Sequence, residues 1–494
     1  MFDYNDFAAT LSLTGETGYV TETKYPLAIT NGLPGAQLNE LIMFETGDVG
    51  YVFSLEVDTV QVGVLGRAKV PVGTRATRTG QKIGMRYSAT AKGKVVDPIG
   101  NVILGEDLSD SESERLPIFV DIPPLVSRRN IQEQLITGIS VVDILLPIGK
   151  GQRELLIGDR KTGKRQVVLQ ACYNALKSGI KVIYVAAGQN NSDIQIVWKF
   201  FHDHGVAEEV HIIGTSPLDS PCLIYLSPFS GMAIAEYYAR QGYDALVVIE
   251  DLTTHAQFYR EFSLLSGRFP GRESYPGDIF FTHAHLLERA GNFKFEGVER
   301  DVSITCLPLL HAAEGDISSY IATNSIGITD GHLFFDKEKY LKGLLPPVHV
   351  GLSVTRAGKQ TQTSILRDVN RFVSTFLNEY ENTKSFAAFG SETNQKVKDI
   401  LAKGDALEAF FRQIGAVNHT TISDLFLIGM IWAGVLVENS SDKYTEYRKN
   451  IDENFEQYQT EMFEEFKKLK NLKELQEYTN KYKEKMLSIC GIGK

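Results

Sequence analysis

Cysteine is scarce in this chain, with 4 in 494 residues: Cys172, Cys222, Cys306 and Cys490. They are scattered and form no C-x-x-C pair, which argues against a disulfide framework or a zinc site and fits a reducing cytoplasm. Basic excess is missing too. Lys and Arg number 51 against 61 Asp and Glu, a net charge of −10, which speaks against a general nucleic-acid or acidic-lipid surface. No apolar run reaches the roughly 18 to 20 residues of a membrane span. The start, MFDYNDFAATL, lacks the basic region and apolar core of a signal peptide. Membrane association is therefore expected only through partners. No internal repeat and no low-complexity segment stands out. The composition is that of a globular protein, 43% hydrophobic and 23% charged with 43 Gly, and the length suggests two to four domains.

The most informative stretch is LLIGDRKTGKRQ, residues 155–166. It contains Gly158, Asp159, Arg160, Lys161, Thr162, Gly163 and Lys164, the G-x-x-x-x-G-K core of a phosphate-binding loop. The apolar run before it reads as a strand. Val167, Val168, Ala171, Cys172, Ala175 and Leu176 mark one face of a helix after it. Glycines let such a loop curl so that backbone N–H groups and a helix N-terminus meet phosphate, and Lys164 adds charge. The following position normally carries Ser or Thr, whose hydroxyl ligates Mg²⁺. Here it is Arg165, a permanent donor-only cation that cannot coordinate a metal. Its guanidinium stands in for the ion, fills the pocket, or turns outward on the helix.

Residues 1–90 read as short alternating segments with frequent turns, such as Tyr51–Val57 and Val60–Leu65, and suggest a small β-barrel or sandwich. Asp107–Glu114 is acidic and is expected as a solvated loop, and Pro123-Pro124 and Arg128-Arg129 as an irregular connection. Within residues 91–362, the apolar runs Lys181–Ala187, Val210–Ile213 and Asp244–Ile249 alternate with helical text. That pattern predicts a mainly parallel sheet with helices on both faces and a ligand site at the strands' carboxyl ends. Residues 363–494 read as helical. Ile451, Phe455, Tyr458, Met462, Phe466, Leu469 and Leu472 predict one amphipathic helix packed on its own domain.

Two further features bear on chemistry. Leu246–Ile249 followed by Glu250 and Asp251 has the form of a strand ending in carboxylates that hold Mg²⁺ or its waters; a helix-capping role for Asp251 is compatible with this. Hydrolysis also needs a group that orients or deprotonates water. Near the end of the strand beside the loop stands Gln189, an amide and not a base. With Arg165, this argues against self-contained hydrolysis.

The chain resembles the alpha subunit of F-type rotary ATPases. The resemblance is carried by GKGQRELLIGDRKTGK (149–164), IYVAAGQ (183–189), FPGRESYPGD (269–278), LLERAG (286–291), GDISSYIATNSIGITDGHLF (315–334), PPVHVGLSVTRAG (346–358) and FAAFGS (386–391). It implies an N-terminal β-barrel, a central RecA-like nucleotide domain and a C-terminal α-helical domain. It implies three alpha-like subunits alternating with three beta-like catalytic subunits around a gamma-type central shaft, with stator or motor-specific partners, ATP or ADP bound, and a peripheral cytoplasmic location. Gln189 then matches the family's glutamine where catalytic subunits carry glutamate. Arg356 matches the arginine that enters the neighbour's catalytic site, and Gln413 matches one of two glutamines near the base. Departures accompany the match. Arg165 replaces a threonine, leaving Mg²⁺ in question, Leu345 an arginine, Gly415 the second glutamine and Thr355 a serine, and the PVG segment is missing around Met85 to Lys92. The start also looks shorter than the family's stalk-docking helix. Several losses at one pocket suggest a divergent paralogue with a degraded site, of the kind tied to gliding motility in some mycoplasmas. A homohexameric ATPase of the export or Rho type and a nucleotide-free scaffold are the competing readings.

Overall fold

The computed structural model describes residues 6–106, 113–388, 395–413, 420–455 and 461–492. In chain order, the elements that matter here begin with α1 (Phe7–Thr14) and the strands β1 (Thr17–Lys24), β2 (Leu27–Asn31), β3 (Glu40–Phe44), β4 (Val49–Leu55), β5 (Val60–Val64) and β6 (Arg75–Lys82). There follow β7 (Val95–Val96), β8 (Glu154–Gly158), α2 (Lys164–Lys177), β9 (Lys181–Ala186), β10 (Val210–Gly214), α3 (Pro221–Arg240), β11 (Ala245–Glu250), α4 (Leu252–Leu265) and β12 (Val302–His311). The chain continues with β13 (Gly331–Phe335), β14 (Val354–Thr355), α5 (Ser364–Ala388), α6 (Gln395–Phe411), α7 (Thr421–Trp432), α8 (Ser441–Phe455), α9 (Glu461–Lys467) and α10 (Leu472–Lys481). The chain separates into two compact units, one built from described residues of 1–129, 179–312 and 316–329, the other from those of 130–178, 313–315 and 330–494.

In the first unit, β1 to β6 close into an antiparallel barrel in the order β1-β2-β5-β4-β3-β6. Its interior is filled by Val20, Ala28, Ile42, Phe44, Val52, Val62 and Ala76, the inward half of a period-two pattern. The same unit holds a run of parallel strands, β12-β11-β9-β10-β7. Their residues are buried almost throughout, because helices such as α3 cover the sheet and apolar text is needed on both sides.

In the second unit, β8 pairs in parallel with β13, Glu154 beside Gly331 and Gly158 beside Phe335. β14 runs antiparallel to β13, with Thr355 beside Gly331. From Ser364 onward the described residues are mostly helical, with Tyr380, Phe410, Phe426, Ile451 and Leu475 in the core. The architecture is thus a barrel, an α/β region of mainly parallel strands and a carboxyl-terminal helical region, as expected from sequence. The four cysteines are free and buried. Among the described residues no helix is long and apolar enough to cross a membrane.

Two expectations need correction. The text from Ile451 to Leu472 is not one helix: α9 ends at Lys467, Leu469 lies in a non-helical link, and Leu472 opens α10. Asn471 causes the break. Its side chain accepts from the Glu474 N–H at 2.9 Å and its amide donates to the Glu474 carboxylate at 2.7 Å, a reciprocal cap that starts a new helix. Tyr458 lies outside the described residues. The connection read as irregular contains two short strands, Glu114–Pro117 paired with Gly84–Tyr87 and Arg128–Arg129 paired with Gly291–Phe293. Positions 107–112, 389–391 and Gly415 also lie outside the described residues.

Candidate nucleotide site

The phosphate loop leaves β8 at Gly158. A Cβ there would sit 2.5 Å from the Phe335 carbonyl oxygen, so the close approach of β13 requires glycine. The loop then turns through Lys161, at φ 60°, and Gly163, at φ 80°. Gly163 is the N-cap of α2 and provides no side-chain acceptor, so the first turn of α2 has no side-chain cap. The ammonium of Lys164, 4% exposed, lies in the bowl and donates to the Gly158 and Asp159 carbonyls at 2.8 and 2.5 Å and to the Thr162 hydroxyl at 3.4 Å. Arg160 and Lys161 are exposed, and Arg165 is half-buried in the first turn of α2. An uncapped helix N-terminus with an ammonium in the bowl is suited to an anionic phosphate. Donor-only Arg165 is unsuited to ligating a cation at the position where a hydroxyl would do so.

Above this loop stand Tyr340 and Pro347, 3.7 and 3.8 Å from where a Gly163 Cβ would lie. Leu345, two residues before Pro347, accepts from the Gln413 N–H at 2.7 Å. The Gln413 side chain is tied to the turn before β8, its Oε1 accepting from the Ser140 N–H at 2.8 Å and its Nε2 donating to the Gly138 carbonyl at 3.4 Å. The Ser140 hydroxyl donates to Asp424 at 2.9 Å. Arg448, 1% exposed, donates to that carboxylate at 2.8 Å and to the Ser140 oxygen at 3.0 Å. A cavity of about 730 Å³ adjoins this region, with Leu345, Pro346, Val348, Tyr380, Phe411 and Arg412 in its wall.

Arg356 belongs to the same unit but not to the same end of the sheet. Its N–H donates to the Asp330 carbonyl at 3.0 Å, and the Asp330 N–H donates to the Arg153 carbonyl at 2.9 Å. Arg356 is therefore level with Arg153, before the amino end of β8, whereas the phosphate loop leaves the carboxyl end after Gly158. At ~3.3 Å per residue the separation along the strand is about 16 Å. The side chain is exposed.

In the first unit, Glu250 and Asp251 follow the carboxyl end of β11. Glu250, 5% exposed, accepts from the Tyr184 hydroxyl at 2.5 Å. Asp251 caps α4, with one oxygen accepting from the Thr253 and Thr254 N–H groups at 2.6 and 3.3 Å and the other from the Thr254 hydroxyl at 2.7 Å. The His311 imidazole lies 3.3 Å from that second oxygen. The capping role left open by the sequence is thus present. Gln189 is half-buried past β9; its N–H donates to the Thr215 carbonyl at 2.8 Å and its amide nitrogen to the Ala187 carbonyl at 3.4 Å. Among the described residues no group of three or more His, Cys, Asp or Glu is arranged to hold a metal ion.

The sequence reading missed Gln152 and Glu154, which lie beside Thr355, Asp330, whose carbonyl accepts from the Arg356 N–H, and the buried Arg448–Asp424 pair. Polar letters beside an apolar strand were the signal for the first two.

Two family descriptions match the chain: the nucleotide-binding domain of the ATP synthase alpha/beta family over residues 138–355, and the C-terminal domain of the ATP synthase alpha/beta chain over residues 362–486. The chain is 38% identical over 401 residues to the ATP synthase subunit alpha of Caldanaerobacter subterraneus, covering 81% of this chain and 79% of that one. It is 38% identical over 402 residues to ATP synthase subunit alpha 1 of Mycoplasmopsis pulmonis, covering 81% and 76%. With the ATP synthase subunit alpha of Ehrlichia canis, identity is 35% over 465 residues, 89% of this chain and 90% of that one. With its nucleotide-binding and carboxyl-terminal regions matched in this way, the chain belongs to the ATP synthase alpha/beta family as an alpha-type member.

Proposed function

We propose that this chain is a non-catalytic alpha-type subunit of a rotary ATPase. It holds ATP or ADP in a degraded phosphate-loop site and supplies Arg356 to the hydrolysis site of a beta-type neighbour. The observation that carries this reading is the separation of Arg356 from the chain's own phosphate loop. The two stand at opposite ends of β8, about 16 Å apart along the strand, so the exposed guanidinium serves phosphates other than those of its own loop. A guanidinium delivered in trans neutralises charge building on the phosphoryl group, an effect of about 10³ to 10⁵ in rate.

The chain's own site supports the non-catalytic half of the reading. Gln189 is an amide where water activation calls for a base. The Asp251 oxygens are engaged in capping α4. Lys164, the α2 N-terminus and Tyr340 fit a nucleotide's phosphates and base, whereas Arg165 does not fit Mg²⁺. Mg²⁺, when bound elsewhere in the family, supplies charge neutralisation; here the fixed cation of Arg165 takes that part. The same departures support a divergent paralogue, which we place in a specialised motor such as one for gliding. Three such chains alternate with three beta-type chains around a gamma-type shaft, and the membrane is reached through partners.

The test is ATPase activity of the chain alone and after mixing with its beta-type partner, with released nucleotide quantified by chromatography. Silence alone, activity in the mixture and nucleotide in excess of the beta-type sites are expected. Robust turnover by the lone chain would favour a self-contained hexamer, and absence of the extra nucleotide would favour a scaffold.

A further inference from the structure

We propose that Gln152 and Glu154 are positioning residues for Arg356, acting through Thr355 to fix the strand end from which the guanidinium leaves. This rests on the reading of Arg356 as the arginine supplied in trans.

β14 is only two residues long, and Thr355 is its last. Glu154, Gly331 and Thr355 lie side by side across β8, β13 and β14. The middle position has to be glycine. A Cβ on Gly331 would fall 2.4 and 2.9 Å from the two carboxyl oxygens of Glu154 and 2.4 Å from the Val354 carbonyl. Without a side chain there, the Glu154 carboxyl lies across β13 towards β14. Gln152, wholly buried, joins the two. Its amide nitrogen donates to Glu154 at 2.6 Å and to the Thr355 hydroxyl oxygen at 3.2 Å, while its Oε1 accepts from the Gly149 N–H at 2.8 Å. The Thr355 hydroxyl in turn donates to the Pro147 carbonyl at 2.8 Å and accepts from the Gly358 N–H at 3.1 Å. Gln152 and Thr355 are each held by at least two other groups, Glu154 is held by Gln152, and the next backbone N–H, that of Arg356, is fixed on Asp330.

Glu154 is a wholly buried carboxyl whose Oε1 has no hydrogen-bond partner. Burial pushes its pKa well above the usual carboxylate range, with Arg356 among the charges that oppose the rise. Burial thus disfavours the charged form of a carboxyl that would otherwise compete with the neighbour's phosphates for the guanidinium. Preorganisation of this kind governs rate, since a misplacement of about 1 Å can cost on the order of 10²-fold.

The experiment is steady-state ATPase of the complex reconstituted with the beta-type partner, carrying Gln152→Ala, Thr355→Val, Thr355→Ser or Glu154→Gln, each in the wild-type and the Arg356→Lys background. In the wild-type background, Gln152→Ala and Thr355→Val should lower kcat roughly 10- to 100-fold with KM for ATP and co-purification with the partner unchanged. Thr355→Ser, which keeps the hydroxyl, and Glu154→Gln, which keeps an acceptor for the Gln152 amide, should retain most of the rate. In the Arg356→Lys background the first two should add little further loss. Equal losses in both backgrounds would assign the cluster to stability alone and overturn the proposal. So would normal kcat in both variants while Arg356→Ala is inactive, which leaves the trans reading intact. If Arg356→Ala itself turns over normally, the trans reading fails first. Should Gln152→Ala not assemble, the near-isosteric Thr355→Val decides.

Discussion

The ammonium of Lys164 donates to the carbonyl oxygen of Gly158 at 2.8 Å, so the phosphate loop is curled around its own cation. The neighbouring residue, Arg165, adds a second fixed positive charge at the start of α2. The loop thus carries two cations and a helix end without a side-chain cap, with a donor where a metal-ligating hydroxyl would stand.

Nucleotide affinity should therefore be indifferent to chelation. Titration of ADP into the purified complex, with and without EDTA, should give superimposable isotherms for the alpha-type site. Arg165→Thr should introduce a Mg²⁺ requirement, so that EDTA weakens binding by about tenfold or more, the worth of one charge-assisted contact. Isotherms of the variant that do not respond to EDTA contradict this assignment.

The helical region should be sensitive to a single methyl group. A Cβ at Gly404 in α6 would lie 1.9 Å from Cδ2 of the Tyr380 ring in α5. That ring cannot swing aside, because its hydroxyl is held by Asp405 at 2.6 Å and Glu408 at 2.9 Å. Gly404→Ala is expected to destabilise the protein by about 1 to 3 kcal/mol through overpacking, read as a lower urea midpoint. An unchanged midpoint would mean that the two helices separate freely.

Most of the fold was legible because its patterns are local. Period-two text marked the barrel, and mostly apolar runs marked β9, β10 and β11, whose residues are buried almost throughout. The phosphate loop was legible from glycine spacing and its strand–helix setting. The bracket under Arg356 was not, since Gln152 and Thr355 are 203 positions apart and meet only through strand register. Register likewise puts Arg356 and the phosphate loop at opposite ends of β8. The break before α10 was hidden because Leu469 and Leu472 keep the helical period while Asn471 and Glu474 cap a new helix. Asp251 shows a further limit: a carboxylate ending a strand has the same letters whether it meets a metal or caps a helix.

Acid should weaken the first unit through buried imidazoles. Burial pushes the pKa of His211 down to about 3 and that of His255 down to about 4, and holds His283 well below its ordinary value. All three are neutral when folded, whereas the unfolded chain takes up protons below about pH 6.5. Their stabilisation is full above that value and is lost as the pH falls from about 6.5 towards the folded values, by at most ~1.4 kcal/mol per unit per histidine. The urea midpoint should drop between pH 7 and pH 5, and His211→Gln should drop less than wild type. Equal drops would show that His211 takes its proton in the folded protein.

The central claim is that Arg356 works in a neighbour's site, and its most direct test is ATPase turnover of the reconstituted complex carrying Arg356→Ala. The account predicts a loss of about 10³-fold or more, with subunit assembly and bound nucleotide in the alpha-type site unchanged. Turnover near the wild-type rate would contradict it.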